Sequence, residues 1–506
     1  MLTSRFSWLV LIGALLVVFN ILFWDESLGI NLPIFTTLLT FFSLQRNKPE
    51  RIGVDLQMAL ACQLVTGVSV VWFNGTFAIF LHLISFLLSC GLLFNPSLRI
   101  VHDALATSFQ NLGMAFHWMG KKRMTVMNDV KPLRKLNRDF KLIIIPLLIA
   151  IVFFVLYASA SDSFSKLFGN AWEYIYTFFS HIFDYISFGR IVFTLLGLWL
   201  IVSFTCKTFK IDIKPYPSEI LERVRKKSNY NQISPTGMIA LMNEHRSGFF
   251  LLVLLNIMIL MVNALEIPSW FHFEMPKAYD LKYYVHQGTI ILIISILLCM
   301  AVVLYMFRGN INFFKGNKLL KQLALLWLAQ NAILAIGIWM RNYQYIQYHG
   351  LAYRRIGVVI FLVLVFIGLM SLFVKVMHKK NIPYLLRVNS WAAIIVLTVS
   401  TMINWDSHIV EYNLNHPNGG EIDVDFYLKL SPKVYPYLYK NIDLVEKQIA
   451  AHQNNYPNWI AYKNISEFKE DLDRKSKYYI YAANRRGWPS WTYTDENTLL
   501  ELKEIK

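Results

Sequence analysis

Asn256, Asn263 and Glu266 recur at intervals that place them on one face of a helix, inside a stretch that is otherwise apolar. In hydrocarbon such groups are costly, so they either bond to a neighbouring helix or line a path for a solute. Gln330 and Asn331 stand in a second apolar stretch and could supply the facing side of that path. A denser group falls at one end of the later apolar stretches: Glu266, His286, Arg341, Tyr353, Arg354 and Arg355. Three guanidinium groups at one depth suit a carboxylate or a phosphate headgroup, because each can form paired hydrogen bonds to such an anion. Pairing of an arginine with Glu266 would use the same residues for packing instead. At the opposite ends, Glu244 and Arg308 form a candidate ion pair between helix mouths.

Acidic pairs at Asp423/Asp425 and Asp25/Glu26 are the one enzyme-like pattern. Carboxylates so placed could act as a base or hold a divalent ion, as in polytopic glycosyltransferases that use lipid-linked donors. They serve equally as helix N-terminal acids. The chain has no phosphate-binding glycine loop ahead of Lys-Ser/Thr, no His-Glu-x-x-His and no Gly-x-Ser-x-Gly. No catalytic residue, metal site or cofactor is therefore assigned.

The elements that must position these residues are membrane helices. With 56% hydrophobic residues, 16% charged residues and a mean hydropathy of +0.42, the 506-residue chain is too apolar for an ordinary soluble protein. Helices are the default spanning element, since lipid offers no partners to open strands. About eleven spans are expected, at 8–24, 29–44, 54–73, 76–94, 141–159, 189–206, 247–267, 287–307, 322–340, 356–374 and 389–404. The pattern predicts an all-α transmembrane bundle in three parts. These are a four-span region with a basic loop (1–140), a core of about seven spans (141–404) and a helical tail (405–506). Segment 101–119 reads as an amphipathic helix on the cytosolic surface, and 168–188 as an aromatic segment on the outer one. Cys62, Cys90, Cys206 and Cys299 all fall within or at the ends of apolar spans, where they act as small hydrophobes.

A net charge of +17 would suit nucleic acid if it were spread over one soluble surface. Alternating the loops instead collects about 29 basic against 9 acidic residues on one side, and about 20 against 23 on the other. The excess is then cytosolic, with the N-terminus inside and the tail extracytoplasmic. That distribution excludes a nucleic-acid partner and points to anionic lipid at the cytosolic face.

In the tail, Asp423–Leu430 reads as a short helix, Ser431-Pro432 as a helix start, and Asp443 with Glu446 as a capping box. Trp488, Trp491 and Tyr493 supply amphipathic rings for packing or for the headgroup level. Helices this short bury little core unaided, so the tail is expected to pack on the membrane domain.

Several polar strings recur in order: Glu244-His245-Arg246-Ser247-Gly248, His286-Gln287-Gly288, Phe307-Arg308-Gly309-Asn310, Gln330-Asn331, Arg341-Asn342 and 350–357. With Ile186–Arg190 and Tyr412-Asn413-Leu414, they resemble a bacterial integral-membrane family known only as a domain of unknown function. The resemblance spans roughly residues 140–495 and implies a multi-pass protein of the bacterial cytoplasmic membrane, with no reaction attached. Two functions compete. One is translocation or binding of a small anion, solute or lipid through the bundle. The other is a non-catalytic scaffold or sensor whose outer tail docks an envelope protein. A lipid-linked glycosyltransferase-like enzyme is the weakest of three readings. Oligomeric state is not legible.

Overall fold

The computed structural model describes residues 5–47, 52–129, 187–207, 235–271, 278–307, 310–314, 316–416, 424–455 and 464–505. Every regular element among them is helical. The expected span at 141–159 and residues 168–186 of the aromatic segment 168–188 lie outside the described residues.

Among the described residues, six helices are long and apolar enough to cross a membrane: Val54–Phe73 (α3), Thr76–Phe94 (α4), Leu241–Pro268 within Pro235–Phe271 (α7), Asn317–His349 (α9), Tyr353–His378 (α10) and Ile382–Ser400 (α11). Shorter apolar stretches fill much of Arg5–Phe23 (α1), Phe188–Thr205 (α6) and Ala278–Met306 (α8). Asn31–Asn47 (α2) and Val101–Asp129 (α5) complete the set. Large apolar side chains point outward along these helices, among them Val17, Phe80, Leu195, Phe250, Leu265, Ile291 and Met370. A surface of that kind is stable only in lipid. The molecule is an apolar helical bundle and an integral membrane protein.

Helices α1–α6 form one bundle, packed about Phe19, Phe35, Leu39, Phe86, Cys90 and Ile201. α6 packs on α1, α2 and α5. Gly197 lets it do so, because a Cβ there would fall within 2.3 Å of the Phe19 ring. Helices α7–α11 form the second bundle, about Leu252, Ile296, Val303, Leu328, Leu334, Leu362 and Leu372. α11 joins the two, since it packs on α10 and also on α3, α4 and α5. Along it, Arg387 grips Asp55 of α3 at 3.0 and 3.1 Å, Trp391 donates to the Arg99 carbonyl at 3.3 Å, and Thr401 donates to Ser69 at 3.1 Å.

α5 is helical as expected, but its polar residues are not all on an outer face. Ser108 donates to the Leu87 carbonyl, and Asn111 donates to Cys206 at 2.8 Å and to Ser203. Carbonyls in the last turn of a helix lack intrahelical partners, and the Asn111 amide supplies donors at the end of α6. This draws α5 against α4 and α6, with Ala104, Thr107 and Ala115 buried.

The tail comprises Trp405–Asn415 (α12), Asp425–Lys429 (α13), Tyr435–Lys440 (α14), Ile442–Asn455 (α15), Ile465–Ala483 (α16) and Tyr493–Ile505 (α17). It has its own core of Val410, Tyr427, Leu438, Val445, Phe468, Leu472 and Leu502, to which Ile356 of α10 contributes. Two expected caps differ. Ser431 precedes a single 3-10 turn, Pro432–Val434, without a side-chain capping bond. Asp443 lies within the first turn of α15, which already begins at Ile442, so the capping-box register is displaced by two residues. Asn441 takes the cap position, its carbonyl accepting from Leu444 at 3.1 Å.

Candidate functional site

α7 and α9 carry the polar seam of the second bundle. Gln330 donates to Asn256 Oδ1 at 2.8 Å, Asn256 donates to the Leu323 carbonyl at 3.1 Å, and Asn263 donates to the Gln330 carbonyl at 3.1 Å. The helical step from Asn256 to Asn263 to Glu266 thus lays all three against α9. Asn331 turns back along its own helix to the Trp327 carbonyl. At the tail-bearing end of the seam Arg341 and Glu266 form an ion pair, with side chains 7% and 19% exposed.

The candidate anion cluster is distributed over several separate contacts. Arg341 engages Glu266. Arg355 folds back to donate to the His349 carbonyl at 2.8 Å and to that of Gly350, with its guanidinium 4.6 Å above the Tyr345 ring. Tyr353 donates to Asp406 of the tail at 2.6 Å. Arg354 is exposed. His286 belongs to α8 and its side chain lies outside the described residues, as does Arg308, the proposed partner of the exposed Glu244. Of the acidic pairs, Glu26 accepts from the Gly487 amide at 3.1 Å and from Ser490, Asp425 pairs with Lys429 within its own helix, and Asp423 lies outside the described residues.

Those Glu26 contacts open onto the junction where the tail meets both bundles. On the first bundle, Ser27 donates to Ser490 Oγ at 2.9 Å, Ile30 to the Trp491 carbonyl at 3.0 Å, and Asn74 to Asp495 at 3.2 Å. Thr494 caps the Trp72 carbonyl, and Tyr493 lies 4.8 Å from the Trp72 ring. Gly29 is obligatory there, since a Cβ would sit 2.6 Å from the Ser490 carbonyl. On the second bundle, Asn413 of α12 bonds both ways to Leu351, accepting at 2.5 Å and donating at 3.0 Å. Gly350 takes a left-handed φ of 77° to turn beneath it. Between these anchors, burial pulls the Lys433 ammonium below its usual range, opposed by the Asp495 and Asp406 carboxylates. Burial next to Asp495 raises the Tyr479 hydroxyl, which donates to that carboxylate at 3.2 Å.

The sequence reading missed a polar core in the first bundle. His82 of α4 is fully buried, with Thr36 Oγ1 2.8 Å from Nε2 and Thr66 Oγ1 3.1 Å from Nδ1. Beside it Gln63 donates to Thr40 at 2.9 Å. A signal existed: Thr36/Thr40/Ser43, Gln63/Thr66/Ser69 and His82/Ser85/Ser89 each step along one helix face. Lys375, 2% exposed, was missed too; it donates to the Phe307 carbonyl at 3.1 Å, just past the end of α8.

An all-helical membrane bundle with internal amide, imidazole and ion-pair seams and a docked helical tail is therefore the class of protein. The chain belongs to the family described as Domain of unknown function (DUF4153), whose model matches residues 55–441. No curated protein and no solved structure matches it.

Proposed function

We propose that the protein is a non-catalytic membrane scaffold or sensor, in which two helical bundles are held by an extracytoplasmic tail that docks an envelope partner. The tail's double anchorage carries this reading: 487–495 on the α1–α2 and α3–α4 turns, and Asn413 on the α9–α10 turn. A ligand or force acting on such a tail reaches both bundles at once. The positive-inside charge distribution supports the N-terminus in the cytosol and the tail outside a bacterial cytoplasmic membrane. The seam of α7 and α9 favours the scaffold over translocation, because the 2.8 Å contact between Gln330 and Asn256 leaves no space for water between them.

The test is hydration. Asn256→Cys and Gln330→Cys, introduced separately in the full chain, should resist a membrane-impermeant maleimide from either side. The four native cysteines are buried and serve as the background. Steady labelling at either position would transfer the assignment to translocation. Lys469→Cys should label from outside intact cells and Lys122→Cys only after lysis; the reverse order would overturn the sidedness.

A further inference from the structure

α16 buries Phe468, Leu472, Ser476 and Tyr479, and turns the opposite face to its surroundings. That face carries Arg474, Lys477, Tyr478, Tyr481 and Arg485 at helical spacing, and the stripe continues to Trp488 in the following 3-10 turn. Tyr478, Tyr481 and Trp488 are 76%, 62% and 64% exposed, far more than rings of this size need be in a water-facing helix. Arg485 lies 5.6 Å from the Tyr481 ring centre and donates to its hydroxyl at 3.2 Å; Arg474 pairs with Asp471.

We infer that this Tyr–Arg–Trp stripe rests on the anionic phospholipid headgroups of the leaflet on the tail-bearing side. Depth is the first argument. Gly487 and Ser490 bond to Glu26 and Ser27, and Trp491 to Ile30, which places Trp488 within a few residues of the turn that joins α1 to α2. The rings of Trp24 and Trp72 close the adjoining ends of α1 and α3, and Arg190 lies 5.5 Å from the Trp24 ring. Trp488 thus extends a belt of tryptophans at one level, where indole prefers the headgroup region.

Charge is the second argument. The start of α16 is acidic, with Glu467, Glu470, Asp471 and Asp473, and its far end, next to the α1–α2 turn, is basic. The helix dipole accounts for that order of signs. It does not account for the exposed rings interleaved with the cations, a composition that matches an anionic headgroup layer at this depth.

The experiment uses the full chain in nanodiscs of phosphatidylglycerol or of phosphatidylcholine. A nitroxide is attached at Trp488→Cys or, as a water-facing control, at Lys469→Cys. Collision with oxygen and with a nickel chelate reports depth. In phosphatidylglycerol the label at 488 should be shielded from nickel about fivefold relative to 469. Lys477→Gln and Arg485→Gln, each introduced in the labelled chain, should lower that shielding in phosphatidylglycerol by up to roughly fivefold, as expected for one cation near an anionic surface. Equal nickel exposure at 488 and 469 overturns the inference. So does shielding that is the same in both lipids and unchanged by the two substitutions. Shielding found only in native membranes, and absent from discs of purified lipid, would assign the stripe to a protein partner and equally overturn it.

Discussion

The two bundles solve the same problem, polar groups inside hydrocarbon, in opposite ways. In the first bundle the partners of His82 are hydroxyls with a second acceptor at hand: Thr36 also reaches the Leu32 carbonyl at 2.9 Å, and Thr66 that of Cys62 at 2.8 Å. Each hydroxyl can swivel between the imidazole and its own helix, so losing the imidazole strands nothing. In the second bundle the partners are an amide set across the helix interface and a carboxylate. Remove Asn256 and the Gln330 amide loses that acceptor; remove Arg341 and Glu266 loses the guanidinium across the helix interface. The first bundle is forgiving of change at its polar centre, and the second is brittle.

The largest expected effect tests the brittle side. Arg341→Ala should lower stability in detergent by about 2–3 kcal/mol, the usual result of losing a charge-assisted hydrogen bond, and Glu266→Gln in the same chain should restore part of it. Next, Asn256→Leu should cost about 1–2 kcal/mol through the stranded Gln330 amide, read from the same thermal or denaturant unfolding. His82→Leu, which keeps side-chain bulk, should cost less than about 1 kcal/mol, because both threonines fall back on their own carbonyls. If His82→Leu proves as damaging as Arg341→Ala, the contrast between the bundles is gone. The smallest effect concerns the tail, which belongs to neither. Burial raises the Tyr479 and Tyr439 hydroxyls above their ordinary value of 10.0, so the neutral forms stabilise the docked tail below that pH. This stabilisation is lost as pH climbs from 10 through the folded values. Lys433, lowered by burial, acts in the opposite direction over the alkaline range below its ordinary 10.5. Tyrosinate absorbance should accordingly rise together with hydrogen exchange in α16 and α17, and Tyr479→Phe should blunt that coupling.

Much of this was legible beforehand, for identifiable reasons. Asn256, Asn263 and Glu266 share a face because a helix repeats every 3.6 residues, and that regularity survives burial. The long apolar helices could be read from length alone. What could not be read was pairing. Whether Arg341 meets Glu266 or a ligand depends on which turns of α7 and α9 lie opposite each other, and a one-dimensional pattern is silent on that. His82 went unnoticed because single hydroxyls in an apolar stretch look neutral until three helices bring them together. An amphipathic surface helix over 101–119 would leave the Asn111 amide to solvent, whereas the open carbonyl ends of α6 reward burying it. Glu26, half of an enzyme-like acidic pair in the sequence, anchors the tail; nothing local to residues 25–30 signals a partner so far along the chain.

Glu26 and Ser490 are separated by 464 positions in the sequence, and their bond closes the largest loop among the hydrogen bonds described above. Contacts between such distant residues demand the most ordering of intervening chain, and fold topology slows their formation accordingly. The turn between α1 and α2 is synthesised early, yet it is completed only when the tail arrives. Until then Glu26 and the Ile30 amide face water. The clasp is therefore a late folding event, and protease sensitivity at residues 24–30 should persist in newly made chains until the tail has docked.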